Sequence, residues 1–188
     1  MGKSVEADET YFGKMAEQPT VRKDGLPYKG GRNKFGPAGK RAIVALVERG
    51  GKVRTFHVDR ADKVTVAGIV AMNVAKETKF YTDESPLYPE VGKRYASHET
   101  VRHSADEYVR GDVYTNTVEG VFSIFKRGMK GVYQHCAEKH LHRYLAEFDF
   151  RYNNRVGLGV SDVDRSEAAL KGVIRKRLTY RWSDGVTA

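Results

Sequence analysis

A strand that gives three of its positions to carboxylates is hard to account for by packing alone. The stretch Val5-Glu6-Ala7-Asp8-Glu9-Thr10-Tyr11-Phe12-Gly13 alternates small or apolar residues with acidic ones and then runs into aromatics. That alternation is the period of a short β-strand. Side chains flip sides along a strand, so Val5 and Ala7 fall on one face and Glu6 and Asp8 on the other. Acidic residues are poor strand formers. Two readings stand: an edge strand with a solvated acidic face, or a central strand whose end offers a carboxylate to a divalent cation. Stretches further along the chain separate them.

Downstream, Arg41-Ala42-Ile43-Val44-Ala45-Leu46-Val47-Glu48 is largely apolar, Arg49-Gly50-Gly51-Lys52 turns, and Val53-Arg54-Thr55-Phe56-His57-Val58 alternates. A glycine turn between two such runs predicts a β-hairpin. With the first strand it makes a three-stranded antiparallel meander. Asp62 is placed to cap a helix running to about Val74, whose Val66, Ile69, Val70 and Val74 recur at helical spacing. Thr78 to Asp83 then reads as a strand that stops at an acid. The order is β-β-β-α-β, with one acid on the first strand and another at the end of the fourth. A short helix around Tyr88 to Arg94 and a short strand around Glu99 to Val101 follow. A helix is expected from about Asn116 to Phe125, capped by Thr115, with Gly128 and Gly131 breaking the pattern. A second long helix covers roughly Ala137 to Tyr152, where Leu141, Tyr144, Leu145 and Phe148 form one stripe. A last helix is expected near Ser166, carrying Lys171, Arg175, Lys176 and Arg177 with no acid nearby.

The 188 residues suit one ordinary domain, and the formal charge of +9 with a pI near 9.6 suggests a polyanionic partner, nucleic acid by default. From Lys14 to Arg41 eight Lys or Arg face two acids, Glu17 and Asp24. This glycine-rich basic loop could lie along a phosphate backbone or be a solubilising insertion. No run approaches about eighteen apolar residues and no leader pattern opens the chain, which argues against a membrane span or signal peptide. The single cysteine, Cys136, excludes an internal disulfide and a cysteine-based zinc cluster and fits a reducing cytosol. It reads as a buried small hydrophobe. The six histidines show no zinc pattern. Trp182 reads as docking the tail.

Carboxylates from separated parts of a chain that meet at one sheet edge are what a two-metal phosphoryl-transfer site needs. Mg²⁺ prefers hard oxygen ligands and waters, and two such ions about 3.5–4 Å apart activate the attacking oxygen and stabilise the leaving one. Asp8 and Asp83 are the first two candidates; Glu6, Glu9 and Glu84 beside them read as supporting or surface residues. The third stretch is Thr115-Asn116-Thr117-Val118-Glu119-Gly120-Val121-Phe122-Ser123-Ile124-Phe125-Lys126. On a helix Asn116, Glu119 and Lys126 share a face. That face would put a metal ligand and a phosphate-binding cation in one groove, although the same spacing also describes an ordinary amphipathic surface.

The pieces VEADETYFG (Val5 to Gly13), GPAGKRAIVALV (Gly36 to Val47), YTDE (Tyr81 to Glu84), YTNTVEGVFSIFK (Tyr114 to Lys126) and the run Glu147 to Arg155 stand in one order. Together they resemble the catalytic domain of IS1595-type, ISXO2-like insertion-sequence transposases. The resemblance implies an α/β, RNase H-like fold, a mixed five-stranded sheet flanked by helices, as in DDE-type transposase/integrase cores. It would occupy residues 1–155, with 13–40 a basic loop insertion and 156–188 a basic tail with a helix. It implies metal-dependent DNA cleavage and strand transfer using Mg²⁺ or Mn²⁺, two ions. Asp8 and Asp83 would be the two aspartates, Asn116 or Glu119 the third ligand with Asn116 slightly ahead, and Lys126 the phosphate contact. Lys29, Arg32, Lys34, Lys40, Arg41, Arg127 and Lys130 join Lys126 as candidate contacts to DNA, with the segment Lys171 to Arg181 beside them. The implied partners are transposon ends and target DNA, held by a homodimer or larger assembly. The implied setting is the nucleoid of a bacterial or archaeal cytoplasm, with no membrane. Such transposases usually carry a DNA-binding module before the first aspartate. Only seven residues precede Asp8 here, so the chain reads as a core cut from a longer protein or a shortened copy. A non-catalytic DNA-binding remnant and a related RNase H-like nuclease are the alternatives.

Overall fold

β1 (Ser4–Phe12), β2 (Arg41–Glu48) and β3 (Val53–Val58) form the antiparallel meander that the alternating runs predict. The structure is a computed structural model that describes residues 1–14, 39–107, 109–174 and 176. α1 (Lys63–Asn73) starts as expected, with Asp62 Oδ1 accepting the Thr65 N–H at 2.9 Å. β4 (Lys79–Thr82) then enters parallel to β1. After the single turn α2 (Pro89–Gly92), β5 (Ser97–Thr100) lies parallel to β4. The resulting order, β3-β2-β1-β4-β5, puts the acidic strand at the centre of the sheet. β1 is therefore no edge strand.

Both faces of the sheet are covered, which is why β2 reads as an unbroken apolar run. Val44 and Leu46 join Val5, Ala7 and Phe80 against Val66 and Val70 of α1. Ile43, Ala45 and Val47 face the other way, toward α3 (Asn116–Gly128) and α4 (Leu141–Asn153). A small ribbon, β6 (Val109–Arg110) and β7 (Val113–Tyr114), leads into α3.

The helix does not break at its glycines. It runs on into a π-helical turn, Met129–Tyr133, and reverses at Gln134, whose φ is 57°. Gly128 serves the packing instead: a Cβ there would run into the Phe148 ring of α4. The second long helix opens with a 3₁₀ turn, Glu138–His140, before α4 proper. α4 also covers the free edge of β3. Asp149 accepts both the Thr55 N–H and hydroxyl at 2.9 Å, and Asn153 exchanges bonds with Val53 N–H and C=O at 2.7 and 2.9 Å. Two helix side chains one turn apart thus occupy an edge that would otherwise template pairing.

The chain divides into two compact units, Met1–Asn153 and Asn154–Ala188. In the second, α5 (Asp162–Lys171) begins at Asp162 rather than near Ser166. Ser161 and Asp164 form a reciprocal capping box, which is the start signal. The expected lack of acids is also corrected, since Glu167 sits 3.4 Å from Lys171. Residues 15–38, with Lys29, Arg32 and Lys34, lie outside the described residues, as do Arg175, Arg177, Arg181 and Trp182. Among the described residues no helix is long and apolar enough to cross a membrane.

Candidate active site

Asp8 sits on the central strand, and the parallel register pairs its neighbour Ala7 with Thr82. Asp83, the next residue past β4, therefore leaves the sheet beside Asp8. Asp8 accepts the Glu9 N–H at 2.7 Å. Burial pushes its carboxyl up to about 8, and the Asp83, Glu9 and Glu119 carboxylates push the same way. Asp83 is also raised, chiefly by burial, against the pull of the Ser85 N–H at 3.0 Å and of His103. The negative charge of Glu119 reaches both aspartates. Desolvation and like charge disfavour ionisation together, so this is an acidic centre short of cations.

α3 is tied to the same strand by Glu6, which is fully buried. Its Oε2 accepts the Thr117 and Val118 N–H groups at 2.9 and 3.1 Å; its Oε1 accepts the Thr117 hydroxyl at 2.8 Å and Arg49 Nε at 2.6 Å. The cap that sequence assigns to Thr115 is thus supplied by a carboxylate more than a hundred residues away. Thr115 holds the N-cap place, but its hydroxyl goes to Glu119 Oε1 at 3.0 Å. A carboxylate on the orphan N–H groups of a helix start is favoured by both bonding and dipole. Arg49 completes the joint. Its guanidinium lies 4.0 Å from the Tyr81 ring centre and 3.7 Å from that of Tyr114, and it donates to the carbonyls of Asp112 and Tyr114.

The cleft between β1 and α3 has two differently charged ends. Asp8, Thr10, Glu119 and Ser123 line one part, and Lys126, Arg127 and Lys130 continue it. The Lys126 amine is pushed below the usual lysine value by burial, with Lys130 and Lys40 adding to the effect and Asp8 opposing it. Of the two candidates for the third acidic place, Glu119 lines this cleft. Asn116, the first residue of α3, is not among its lining residues, nor is Asp83, and Asn116 and Glu119 are both exposed. Arg41 departs from the expected surface contact: it is 5% exposed, its guanidinium over the Phe12 ring and Nη1 3.7 Å from Cys136 Sγ. A side chain so enclosed offers no surface guanidinium to a phosphate. Cys136 itself is half-buried rather than buried.

The sequence model of the ISXO2-like transposase domain matches residues 1–153. The chain belongs to this transposase family. A comparison with curated proteins found no match. The matched residues of the transposase domain hold the acidic centre and the cationic part of the cleft alike.

The donor chemistry at this centre suits a hard divalent ion, since every acidic group is an oxygen donor and several of them crowd together. Among the described residues, no three His, Cys, Asp or Glu side chains converge as a closed cation cage. The charges of Asp83 and Glu119 bear on Asp8, and that of Glu119 on Asp83, without the three closing on one point. Two residues, Arg49 and His103, escaped the sequence reading of the site, and a third, Glu6, is read there only as a supporting or surface residue. Of the two roles open to Glu6 the structure shows the supporting one, as the cap of α3. Arg49 was hidden in a turn, although Tyr81-Thr82 and Tyr114-Thr115 repeat a dipeptide whose two rings enclose it. His103, whose Nε2 stands 3.4 Å from Glu119 Oε1, carried no signal.

Proposed function

We propose that residues 1–153 form the catalytic core of a DNA transposase, with an RNase H-like fold and a metal-dependent DDE-type site. The family match supports transposition, and the sheet order with acids on the first strand and just past the fourth supports the fold. The observation that carries the site is the cleft itself, acidic around Asp8 and cationic along Lys126, Arg127 and Lys130. A phosphodiester strand suits that polarity. Its reacting phosphate would lie at the acidic end and neighbouring phosphates along the cations, which position DNA without reading its sequence.

Asp8 and Asp83 would hold Mg²⁺ or Mn²⁺. Glu119 is the third carboxylate we favour, and Asn116 stays in reserve as a neutral oxygen donor. A bound pair of ions would activate the attacking oxygen and stabilise the leaving one. Lys126 would contact the phosphate. In the first step a water oxygen attacks phosphorus, the P–O3′ bond breaks, and a 3′-hydroxyl is freed. In the second, that hydroxyl attacks a target phosphodiester and the displaced target 3′-oxygen takes a proton. Joining two transposon ends calls for a dimer or larger assembly on DNA, within the nucleoid.

Asp83→Asn tests this. It should abolish Mn²⁺-dependent cleavage and strand transfer, with the unfolding midpoint retained or raised. Full activity in that variant would sink the assignment. DNA binding with no metal-dependent activity in the wild-type protein would favour a non-catalytic remnant. Cleavage of an RNA–DNA hybrid without strand transfer would favour a nuclease.

A further inference from the structure

Glu9 is the acid on β1 that the chemistry above leaves unused. It follows Asp8 directly and so faces the other side of the sheet. Both of its oxygens are engaged: Oε1 accepts the Ser85 hydroxyl at 3.0 Å, and Oε2 accepts the Tyr88 hydroxyl at 2.8 Å. Tyr88 is completely buried, its ring edge-on to Phe80 with centres 6.2 Å apart. That bond is therefore anchored in the core under the sheet. Ser85 in turn gives its N–H to Asp83 Oδ1 at 3.0 Å. A continuous chain of contacts runs from β1 through Glu9 and Ser85 to the Asp83 carboxylate.

A surface role does not account for this, since a solvated carboxylate has no need of two protein hydroxyls. A ligand role does not either, because the side chain turns away from the cleft. What the contacts do is hold a turn. Asp83 stands past the last residue of β4, where the strand ladder no longer fixes the chain. A carboxylate ligand in such a place needs support from a neighbour, as metal ligands generally do.

We propose that Glu9 is a positioning residue. Through Ser85 and Tyr88 it holds the turn from Asp83 to Tyr88 and thereby sets where the Asp83 carboxylate stands beside Asp8. This rests on the reading of Asp8 and Asp83 as metal ligands.

The test uses the full chain as wild type, Glu9→Gln, Tyr88→Phe, the double variant and Asp83→Asn. Mn²⁺ affinity is measured by calorimetry with duplex DNA bound, strand transfer gives kcat and KM for DNA, and hydrogen exchange of the Ser85 amide is followed without metal. Glu9→Gln should weaken Mn²⁺ binding and lower kcat by roughly 10–100-fold, the range for loss of a group that supports a metal ligand. KM for DNA should be unchanged. The Ser85 amide should exchange faster while amides of Val44 and Val70 keep their protection. Tyr88→Phe should shift the same readouts less. The double variant should be no worse than Glu9→Gln, because groups acting in one chain are not additive. Tyr88→Phe keeps both the Glu9 charge and the ring packing, so it carries the test if Glu9→Gln fails to fold.

Wild-type Mn²⁺ affinity and Ser85 exchange in both single variants would overturn the inference. So would a loss of protection spread equally over Val44 and Val70, which marks a merely structural role. Unchanged Mn²⁺ binding in Asp83→Asn would instead bring down the metal-site reading. An inactive Asp83→Asn beside a wild-type-like Glu9→Gln would refute only the role given to Glu9.

Discussion

Two elements bring acids to Asp8, and β1 holds them by opposite means. α3 is fastened through Glu6, whose carboxylate meets a guanidinium, a hydroxyl and two N–H groups of a helix start. The turn after β4 is fastened through Glu9, whose carboxylate meets the neutral hydroxyls of Ser85 and Tyr88 and, among the described residues, no cation. Burial raises the Glu9 carboxyl, and those hydroxyl bonds only partly oppose it. The difference separates a fixed wall from an adjustable one. A buried charge with a matched partner and a full set of donors tolerates little movement, because any displacement strands a charge. Hydroxyl donors on a short turn can rotate and yield.

If α3 is the fixed wall, Glu6→Ala should have the largest effect. It leaves Arg49 without its carboxylate and α3 without its cap, and should cost about 3–5 kcal/mol in urea unfolding. A loss below about 1 kcal/mol would erase the contrast between the two arms.

Asp8, between the arms, should show the next largest effect, with a characteristic pH dependence. Burial holds its folded-state carboxyl up at about 8, against the ordinary aspartate value of 3.8. Between those values the folded protein binds more protons than the unfolded one, so stability falls as pH rises through that window. Asp8→Asn should therefore stabilise the metal-free protein by a margin that grows from near zero at pH 4 to the order of a few kcal/mol at pH 8. A flat difference between the two melting curves across that range would contradict the placement of Asp8. Ser85→Ala should give the smallest effect, about 1 kcal/mol for one neutral hydroxyl bond, read from the same urea titration. A cost matching that of Glu6→Ala would mean the turn is no looser than the helix.

The order of the strands was legible because it rests on local periods: alternation in β1 and β3, a glycine turn, and an aspartate one residue before α1. The mode of attachment was not. Glu6 shows its purpose only when Arg49, 43 residues on, and Thr117, 111 residues on, are beside it. Arg41 looked like the last cation of a basic loop, yet its register with Phe12 at the start of β2 folds it onto the face covered by α3 and α4. Asn116 and Glu119 could not be ranked by spacing, since both fall on one helical face. In the folded chain Glu119 lines the cleft with Asp8 and Asn116 does not, while both are exposed. The start of α5 was missed because its box closes with Asp164 where Glu or Gln is the usual signal.

The joint between Glu6 and α3 also dictates an order of assembly. Synthesis proceeds from the N-terminus at roughly 5–20 residues per second, so the partners of Glu6 at positions 117 and 118 arrive roughly 5–20 s after it. During that interval Asp8 and then Asp83 are made, and Glu6 gains Arg49 as a partner but still lacks the α3 N–H groups it caps. The nascent chain therefore carries its acids before it can close them into a centre, and the helix that closes it is the last part of the cleft to leave the ribosome.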